Sequence, residues 1–219
     1  MADTPTNIGV LGTGYLGATH AACMAALGYE VVAMDVDEAK IAALSAGMLP
    51  FFEPGLTELL QEQLASGRLR FTTSYAEVAA HADVHFLCVG TPQKPGEQAA
   101  DVSYVEAVVE GLAPHLDRPC LVVGKSTVPV GTAARMAERI AALAPAGVDV
   151  ELAWNPEFLR EGLAVQDTLH PDRLVVGVTS ERAEKVLREV YSPLLEQGVR
   201  SSSRTSRRRC WSREPPTRS

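Results

Sequence analysis

Short apolar runs alternate along the chain with longer segments whose apolar residues recur at helical spacing. The first run, residues 8–11, is bounded by turn residues and predicts a buried strand, and residues 18–27 predict the helix that follows it. A second apolar run, residues 31–34, ends on Asp35. This strand–helix–strand order is the unit from which parallel sheets are built.

The same alternation continues through most of the chain. Further strands are predicted at residues 69–73, 84–89, 120–124, 150–154 and 174–178. Further helices are predicted at residues 38–44, 56–65, 75–82, 105–113, 131–143 and 181–195. Because the strands are apolar on both faces, they predict an α/β fold, a Rossmann-type doubly wound parallel sheet with helices on both faces. Ligands of such sheets bind beyond the carboxyl ends of the strands.

Three glycines follow the first predicted strand at G-x-G-x-x-G spacing. Gly12 permits a tight turn, Gly14 lets a pyrophosphate approach the backbone, and Gly17 lets the helix pack closely on the strand. Asp35 is placed to accept hydrogen bonds from an adenosine ribose and to repel a 2′-phosphate. The pattern therefore predicts an NAD site, and a purely structural glycine turn is the alternative.

The composition is that of a globular protein with a sizeable core. The chain has 219 residues, of which 46% are hydrophobic and 21% charged, and a net charge of −7. Neither a membrane span nor a signal peptide is expected. Cys23, Cys88 and Cys120 lie in predicted helices or strands, which is typical of reduced core residues in a cytoplasmic protein. The histidines show no ligand spacing, so no metal site is expected: His20, His81, His85, His115 and His170.

The charge is divided unevenly along the chain. Residues 1–199 contain 13 Lys and Arg against 26 Asp and Glu, whereas residues 200–219 contain seven Arg and one Glu. The acidic balance of residues 1–199 argues against nucleic-acid binding. Residues 200–219 have almost no apolar residues and predict a basic, disordered tail that forms neither helix nor strand, outside a domain of residues 1–199.

Four loops after predicted strands combine small polar residues with prolines: VGTP at 89–92, KSTVPVGT at 125–132, NPEFLREG at 155–162 and PDR at 171–173. With EPGL at 53–56 and the opening GTGYLG, they resemble the UDP-glucose and GDP-mannose dehydrogenase family over residues 8–196. The resemblance implies an NAD-dependent enzyme that oxidises the alcohol of a nucleotide sugar, such as UDP-glucose, to the acid with two NAD.

The resemblance also implies roles for individual residues. The cofactor would be bound by Gly12, Gly14, Tyr15, Leu16, Gly17, Asp35, Lys40, Thr91, Thr127 and Glu161. The substrate would be bound by Glu157, Phe158, Leu159, Arg160 and Glu161. The catalytic residues would be Thr127, Glu157 and Glu161, with Glu157 activating the hydrolytic water and Thr127 holding an ordered water or hydroxyl. If the segment is helical, the i, i+4 spacing places Glu157 and Glu161 on one face.

Each role has a structural alternative. Glu157 would also be a favourable acid in the first turn of a helix. The alternatives are a turn residue for Thr127, a solvated surface charge for Lys40 and a core residue for Tyr15. Structural ion pairs rather than catalysis are expected for Lys125 and Arg173.

The basic tail has a second interpretation. Read one base out of frame, its codons permit a helix like the one with which the family continues, bearing a Lys and an Asn four residues apart. Trp211, with its single codon, and Cys210 together dictate one leucine of that helix. This interpretation predicts a frameshift near Val199. The chain would then lack the family's catalytic Lys, Asn and Cys and its dimerisation helix, and would be inactive alone, although full-length members are homo-oligomers. A free-standing NAD-binding module with a basic tail for a partner is the alternative.

Overall fold

The computed structural model describes residues 6–93 and 100–205, with only the backbone described for residues 203–205. Within these residues eight strands form one sheet in the order β3-β2-β1-β4-β5-β6-β7-β8. The strands are β1 Ile8–Leu11, β2 Val31–Met34, β3 Leu69–Thr72, β4 Val84–Leu87, β5 Cys120–Gly124, β6 Val150–Trp154, β7 Arg173–Val178 and β8 Arg200–Thr205. The α-helices are α1 Tyr15–Ala26, α2 Glu38–Ser45, α3 Leu56–Ala65, α4 Tyr75–His81, α5 Ser103–Leu112, α6 Thr132–Leu143, α7 Ala164–Leu169, α8 Glu181–Val190 and α9 Ser192–Glu196.

Apolar residues on alternate positions of the strands form two cores, one on each face of the sheet. Val10 belongs to the core that α1, α3 and α8 cover, and its neighbour Leu11 belongs to the core under α4, α5 and α6. This alternation follows from the two-residue period of a strand. Both faces are therefore buried, and the predicted sheet with helices on both sides is confirmed.

The direction of the last two strands differs from the prediction. Strands β1 to β6 are parallel, but β7 is antiparallel to β6, and β8 is parallel to β7. The link from β6 to β7 is residues 155–172 and contains the six-residue α7. Trp154, the last residue of β6, pairs with Gly177 near the end of β7, so β7 begins beyond the carboxyl end of β6 and returns along it. The parallel arrangement therefore holds for β1 to β6 and for the pair β7–β8, but not for β6 and β7.

The predicted tail begins with a strand. Residues 200–205 pair in register with β7, from Arg173 opposite Arg200 to Val178 opposite Thr205. The expectation that these residues form neither helix nor strand is therefore wrong. Pairing at a sheet edge uses backbone N–H and C=O groups, which every residue except proline supplies regardless of its side chain. Residues 206–219 of the predicted tail lie outside the described residues.

The remaining predicted elements agree with the structure to within three residues at each end, except that one helix is divided. The helix predicted at residues 181–195 ends at Val190, and α9 begins at Ser192 with Pro193 in its first turn. Proline lacks the N–H that a continuous helix needs and is tolerated only at a helix start.

Candidate functional site

The turn between β1 and α1 leaves the backbone of Gly14 beside open space. Gly12 has a φ of 89°, and a Cβ on Gly17 would lie 1.8 Å from the Gly12 carbonyl oxygen, so neither position accepts a side chain. A Cβ on Gly14 would meet no heavy atom within 4 Å. Gly14 also offers no side chain to cap the first N–H groups of α1. Uncapped N–H donors facing open space suit a phosphate group.

Asp35 lies at the end of β2, beside this turn. Its carboxylate accepts hydrogen bonds from the Thr13 N–H at 2.8 Å, the Thr13 hydroxyl at 3.0 Å and Lys40 Nζ at 2.8 Å. Burial by itself would raise the pKa of Asp35, but the hydrogen bonds from Lys40, Thr13 and Asp37 outweigh it and lower that pKa. Asp35 is therefore a fixed anion, and Lys40 is its ion-pair partner rather than a free surface charge.

The loops after β4 and β5 contact each other and the glycine turn. The Thr91 hydroxyl donates to the Thr127 carbonyl oxygen at 2.8 Å, and the Ser126 hydroxyl donates to the Val89 carbonyl oxygen. A Cβ on Gly12 would lie 2.7 Å from Val89 Cγ1. The two predicted threonines thus lie together on the same edge of the sheet as the turn.

A buried lysine, Lys125, follows β5 and anchors the next loop. Its side chain is 4% exposed, and Nζ lies 2.7 Å from Glu157 Oε2 and 3.2 Å from Asn155 Oδ1. Asn155 Oδ1 also accepts a 2.5 Å hydrogen bond from the Tyr191 hydroxyl. Burial by itself would lower the pKa of Lys125, but Tyr191 and Glu157 raise it. Lys125 is therefore charged, and it holds the Glu157 carboxylate in place.

A second buried carboxylate, Glu53, joins the glycine turn to the loop that carries Glu157. Glu53 is 2% exposed and accepts hydrogen bonds from the Tyr15 hydroxyl, from the Gly162 N–H at 2.9 Å and from the Ala164 N–H at 2.7 Å. Burial by itself would raise the pKa of Glu53, but these hydrogen bonds lower it. Burial and the bond to Glu53 raise the pKa of Tyr15 to about 12, so Tyr15 remains a donor.

A cavity of about 350 Å³ lies beside Lys125 and Glu157. His20 lines it, is 1% exposed, and has no hydrogen-bond partner for either ring nitrogen among the residues that the structure describes. Burial, and then the charge of Lys125, hold the pKa of His20 well below its ordinary value. The imidazole is therefore neutral, and its edge contacts the Phe86 ring with centroids 4.5 Å apart.

Three of the predicted substrate residues line the cavity: Glu157, Phe158 and Arg160. Phe158 is 58% exposed, and the Arg173 guanidinium lies 5.5 Å from its ring centroid. Arg160 lines the cavity and pairs with Asp167 at 2.6 Å. Lys125 and Arg173 thus both contact predicted site residues. Leu159 and Glu161 do not line this cavity.

The described cysteines are packed away from water. Burial raises the pKa of Cys23 and Cys88 to about 12 and that of Cys120 to about 11, so all three are neutral thiols at pH 7. Within residues 6–93 and 100–205, no group of three or more His, Cys, Asp or Glu side chains could hold a metal ion. No helix in the described part of the chain is long and apolar enough to cross a membrane.

A comparison with protein families matches residues 6–195 to the UDP-glucose/GDP-mannose dehydrogenase family, NAD binding domain. The match covers most of the chain and contains every element of the site. The chain belongs to the UDP-glucose/GDP-mannose dehydrogenase family. The predicted resemblance and the predicted cofactor, NAD, are both confirmed by this match.

The chain is also similar in sequence and in structure to individual members of the family. The chain is 47% identical over 189 residues to UDP-glucose 6-dehydrogenase of Rhizobium meliloti (strain 1021), a match that covers 85% of the chain and 43% of the relative. Its structure resembles a UDP-glucose dehydrogenase from Pyrobaculum islandicum, with a TM-score of 0.84 and 41% identity over 93% of the chain and 46% of that protein. It also resembles GDP-mannose dehydrogenase from Pseudomonas aeruginosa in a ternary complex, with a TM-score of 0.83 and 34% identity over 91% of the chain and 46% of that protein. The chain spans less than half the length of these relatives.

The condition under which Glu157 and Glu161 would share a helix face, a helical motif at 155–162, is not met. Residues 155–163 form an irregular loop, and α7 begins only at Ala164, so Glu157 and Glu161 do not share a helix face. The Glu157 N–H donates to the Lys125 carbonyl oxygen at 3.1 Å, and the Arg160 N–H donates to Asp167 at 2.9 Å. Tertiary partners take these N–H groups, so a helix cannot use them. The first-turn alternative for Glu157 is wrong for the same reason.

Several contacting residues carried no predicted role. Glu53 belongs to the EPGL motif and Asn155 to the NPEFLREG motif, so the motifs could have indicated that both residues matter. The spacing of the motifs does not reveal which residues they contact. Tyr191 reaches Asn155 from 36 residues away, and His20 lies in an Ala-rich helix. The functions assigned to the individual site residues stay predictions.

Proposed function

We propose that this chain carries the NAD-binding half of a nucleotide-sugar 6-dehydrogenase of the UDP-glucose to UDP-glucuronate type. The observation that carries the proposal is the glycine turn, where an open Gly14 backbone and uncapped N–H groups adjoin the fixed anion Asp35. Support for the substrate class comes from the names of the relatives, which include UDP-glucose and GDP-mannose dehydrogenases. A cytoplasmic location belongs to the same proposal, and assembly as homo-oligomers is expected of full-length members of the family, not of this chain.

In this proposal the glycine turn holds the pyrophosphate of NAD through the N–H groups of Tyr15 and Leu16. Asp35 and Lys40 bind the adenosine ribose, and the paired loops of Thr91 and Thr127 border the nicotinamide half. When bound, NAD supplies the hydride acceptor for oxidation of an alcohol. The buried Asp35 charge favours a free 2′-hydroxyl over a 2′-phosphate.

The substrate side of the proposal centres on Glu157. The ion pair with Lys125 fixes the position of its carboxylate, as a group that accepts a proton from water requires. Thr127 holds a water or hydroxyl, and Glu161 faces the sugar and the cofactor. Phe158, Leu159 and Arg160 complete the sugar site. The cavity beside Lys125, which Glu157, Phe158 and Arg160 line, supports a position for the sugar there.

Titration of the chain with NAD and with NADP tests the cofactor assignment. We expect NAD to bind at least about tenfold more tightly, and Gly14→Ala to weaken NAD binding by a similar factor, because a methyl group would occupy the phosphate position. Gly14 has a φ of −67°, so alanine leaves the fold unchanged. Calorimetry measures the affinities, and circular dichroism checks the fold.

Gly177→Ala is the matched control. A Cβ there would lie 3.7 Å from its nearest neighbour, an ordinary contact, and β7 is four strands away from β1. Its NAD affinity should equal that of the parent chain. Equal binding of NAD and NADP would contradict the role of Asp35. An unchanged affinity in Gly14→Ala would contradict phosphate binding at the turn.

A further inference from the structure

Glu53 is the point at which the two halves of the candidate site are joined. It lies in the loop between α2 and α3, and its Oε2 accepts hydrogen bonds from Tyr15, the first residue of α1, and from the Gly162 N–H. Its Oε1 accepts the Ala164 N–H. One carboxylate therefore binds the glycine turn on one side and the end of loop 155–163 on the other.

Because Glu53 is buried, its carboxylate depends on these hydrogen bonds. A charged carboxylate that is 2% exposed is unfavourable unless hydrogen bonds replace its lost water. Hydrogen bonds to an ionised acceptor are roughly twice as strong as those between neutral groups. The donors come from segments 38, 109 and 111 residues away, so each bond restrains one segment against another. Movement of Tyr15 or of the loop would leave the buried charge with fewer donors.

We propose that Glu53 is a positioning residue that couples occupancy of the glycine turn to the ordering of loop 155–163. This inference rests on the proposed function, because it takes NAD as the occupant of the turn. A dinucleotide on the first N–H groups of α1 restrains Tyr15, and the Tyr15 hydroxyl restrains the Glu53 carboxylate. Glu53 in turn holds the N–H groups of Gly162 and Ala164. Binding of the cofactor thereby orders the loop that carries Glu157 and Glu161.

Amide hydrogen exchange of the 219-residue chain, followed by NMR with and without saturating NAD, tests this coupling. In the parent chain we expect NAD to slow exchange at Gly162 and Ala164 by at least about fivefold. In Glu53→Gln we expect NAD to bind while this slowing is lost, because an amide cannot accept all of the donors. The Val10 amide in β1 reports global opening and separates a local effect from lost stability.

Glu58→Gln is the matched control, since it makes the same chemical change at an exposed position five residues further on. It should retain the full effect of NAD on both amides. If Glu53→Gln fails to fold, Glu53→Asp takes its place, because it keeps the charge but is one methylene too short to reach both partners. The same loss of slowing is expected there.

The outcomes separate the inference from the proposed function. The same slowing in Glu53→Gln as in the parent chain would overturn the coupling and leave the NAD site intact. Loss of NAD binding by a folded Glu53→Gln chain would place Glu53 in the cofactor site and overturn its positioning role. If the parent chain does not bind NAD, both the proposed function and the inference are overturned.

Discussion

The carboxylates of Glu53 and Glu157 are stabilised in different ways. Glu53 is held by N–H and O–H donors, whereas Glu157 is held by the ammonium of Lys125. Lys125 is 4% exposed and lies over the Phe86 ring, with Nζ 5.9 Å from the ring centroid. The carboxylate of Glu157 supplies the negative charge that neutralises Lys125. Loss of the Glu157 carboxylate would leave a buried cation uncompensated, which is a strongly unfavourable state.

Glu157→Ala should therefore lower the free energy of unfolding as well as remove the proposed base. We expect a loss of about 2–3 kcal/mol, below the value for a fully buried pair because the Glu157 side chain is 22% exposed. Glu161→Ala, at an exposed position in the same loop, should change it by under about 0.5 kcal/mol. Urea unfolding followed by circular dichroism measures both. Equal effects would show that the ion pair does not stabilise the fold.

At the scale of elements, the edge of the sheet departs most from what local sequence predicts. Strand β8 has the sequence RSSSRT, which has neither apolar alternation nor β-branched residues except its last threonine. It nevertheless pairs with β7 along six residues. The backbone ladder holds it, and the exposed edge of β7 supplies the template.

A chain ending at Val199 should accordingly be less stable than one ending at Thr205. Loss of the six-residue ladder, at a net value of about 0.5–1.5 kcal/mol for each hydrogen bond, should remove about 2–4 kcal/mol. The Tm should fall by at least about 4 °C. The chain ending at Thr205 is the matched control because it retains β8. An identical Tm for the two chains would show that β8 adds no stability.

At the scale of the molecule, the match to the family ends at residue 195 and covers 43% of the Rhizobium meliloti relative. The glycine turn, Asp35 and Glu157 all lie inside the match. The resemblance assigns the nucleophilic cysteine and the catalytic Lys and Asn to the remainder of family members. The described cysteines are buried neutral thiols, which is the opposite of an activated nucleophile.

The polypeptide of these 219 residues should therefore bind NAD without producing NADH from UDP-glucose or GDP-mannose. Absorbance at the NADH band measures turnover, and NAD binding to the same sample shows that it is folded. The Rhizobium meliloti relative, a UDP-glucose 6-dehydrogenase, assayed beside it with UDP-glucose, is the positive control and should produce NADH. Sustained turnover by the 219 residues alone would show a complete active site within them.

Local sequence was enough to predict the features that depend on residues a few positions apart. The alternation of strands and helices, the glycine turn and Asp35 at the end of β2 are of this kind, and the structure contains all of them. The helix at 181–195 was predicted without its division because the prediction rested on its apolar period and did not take Pro193 into account. The motifs were sufficient to predict the family, because they are long and occur in the right order.

Only the tertiary structure decided which distant residues meet. Glu53 binds N–H groups more than 100 residues away, and Tyr191 binds Asn155, although no local pattern relates these positions. The irregular course of residues 155–163 follows from N–H donors taken by Lys125 and Asp167. The direction of β7 and the pairing of β8 with its open edge also depend on contacts between distant parts of the chain. Such features arise from the competition of many groups for hydrogen-bond partners in a compact fold, which a local sequence pattern does not encode.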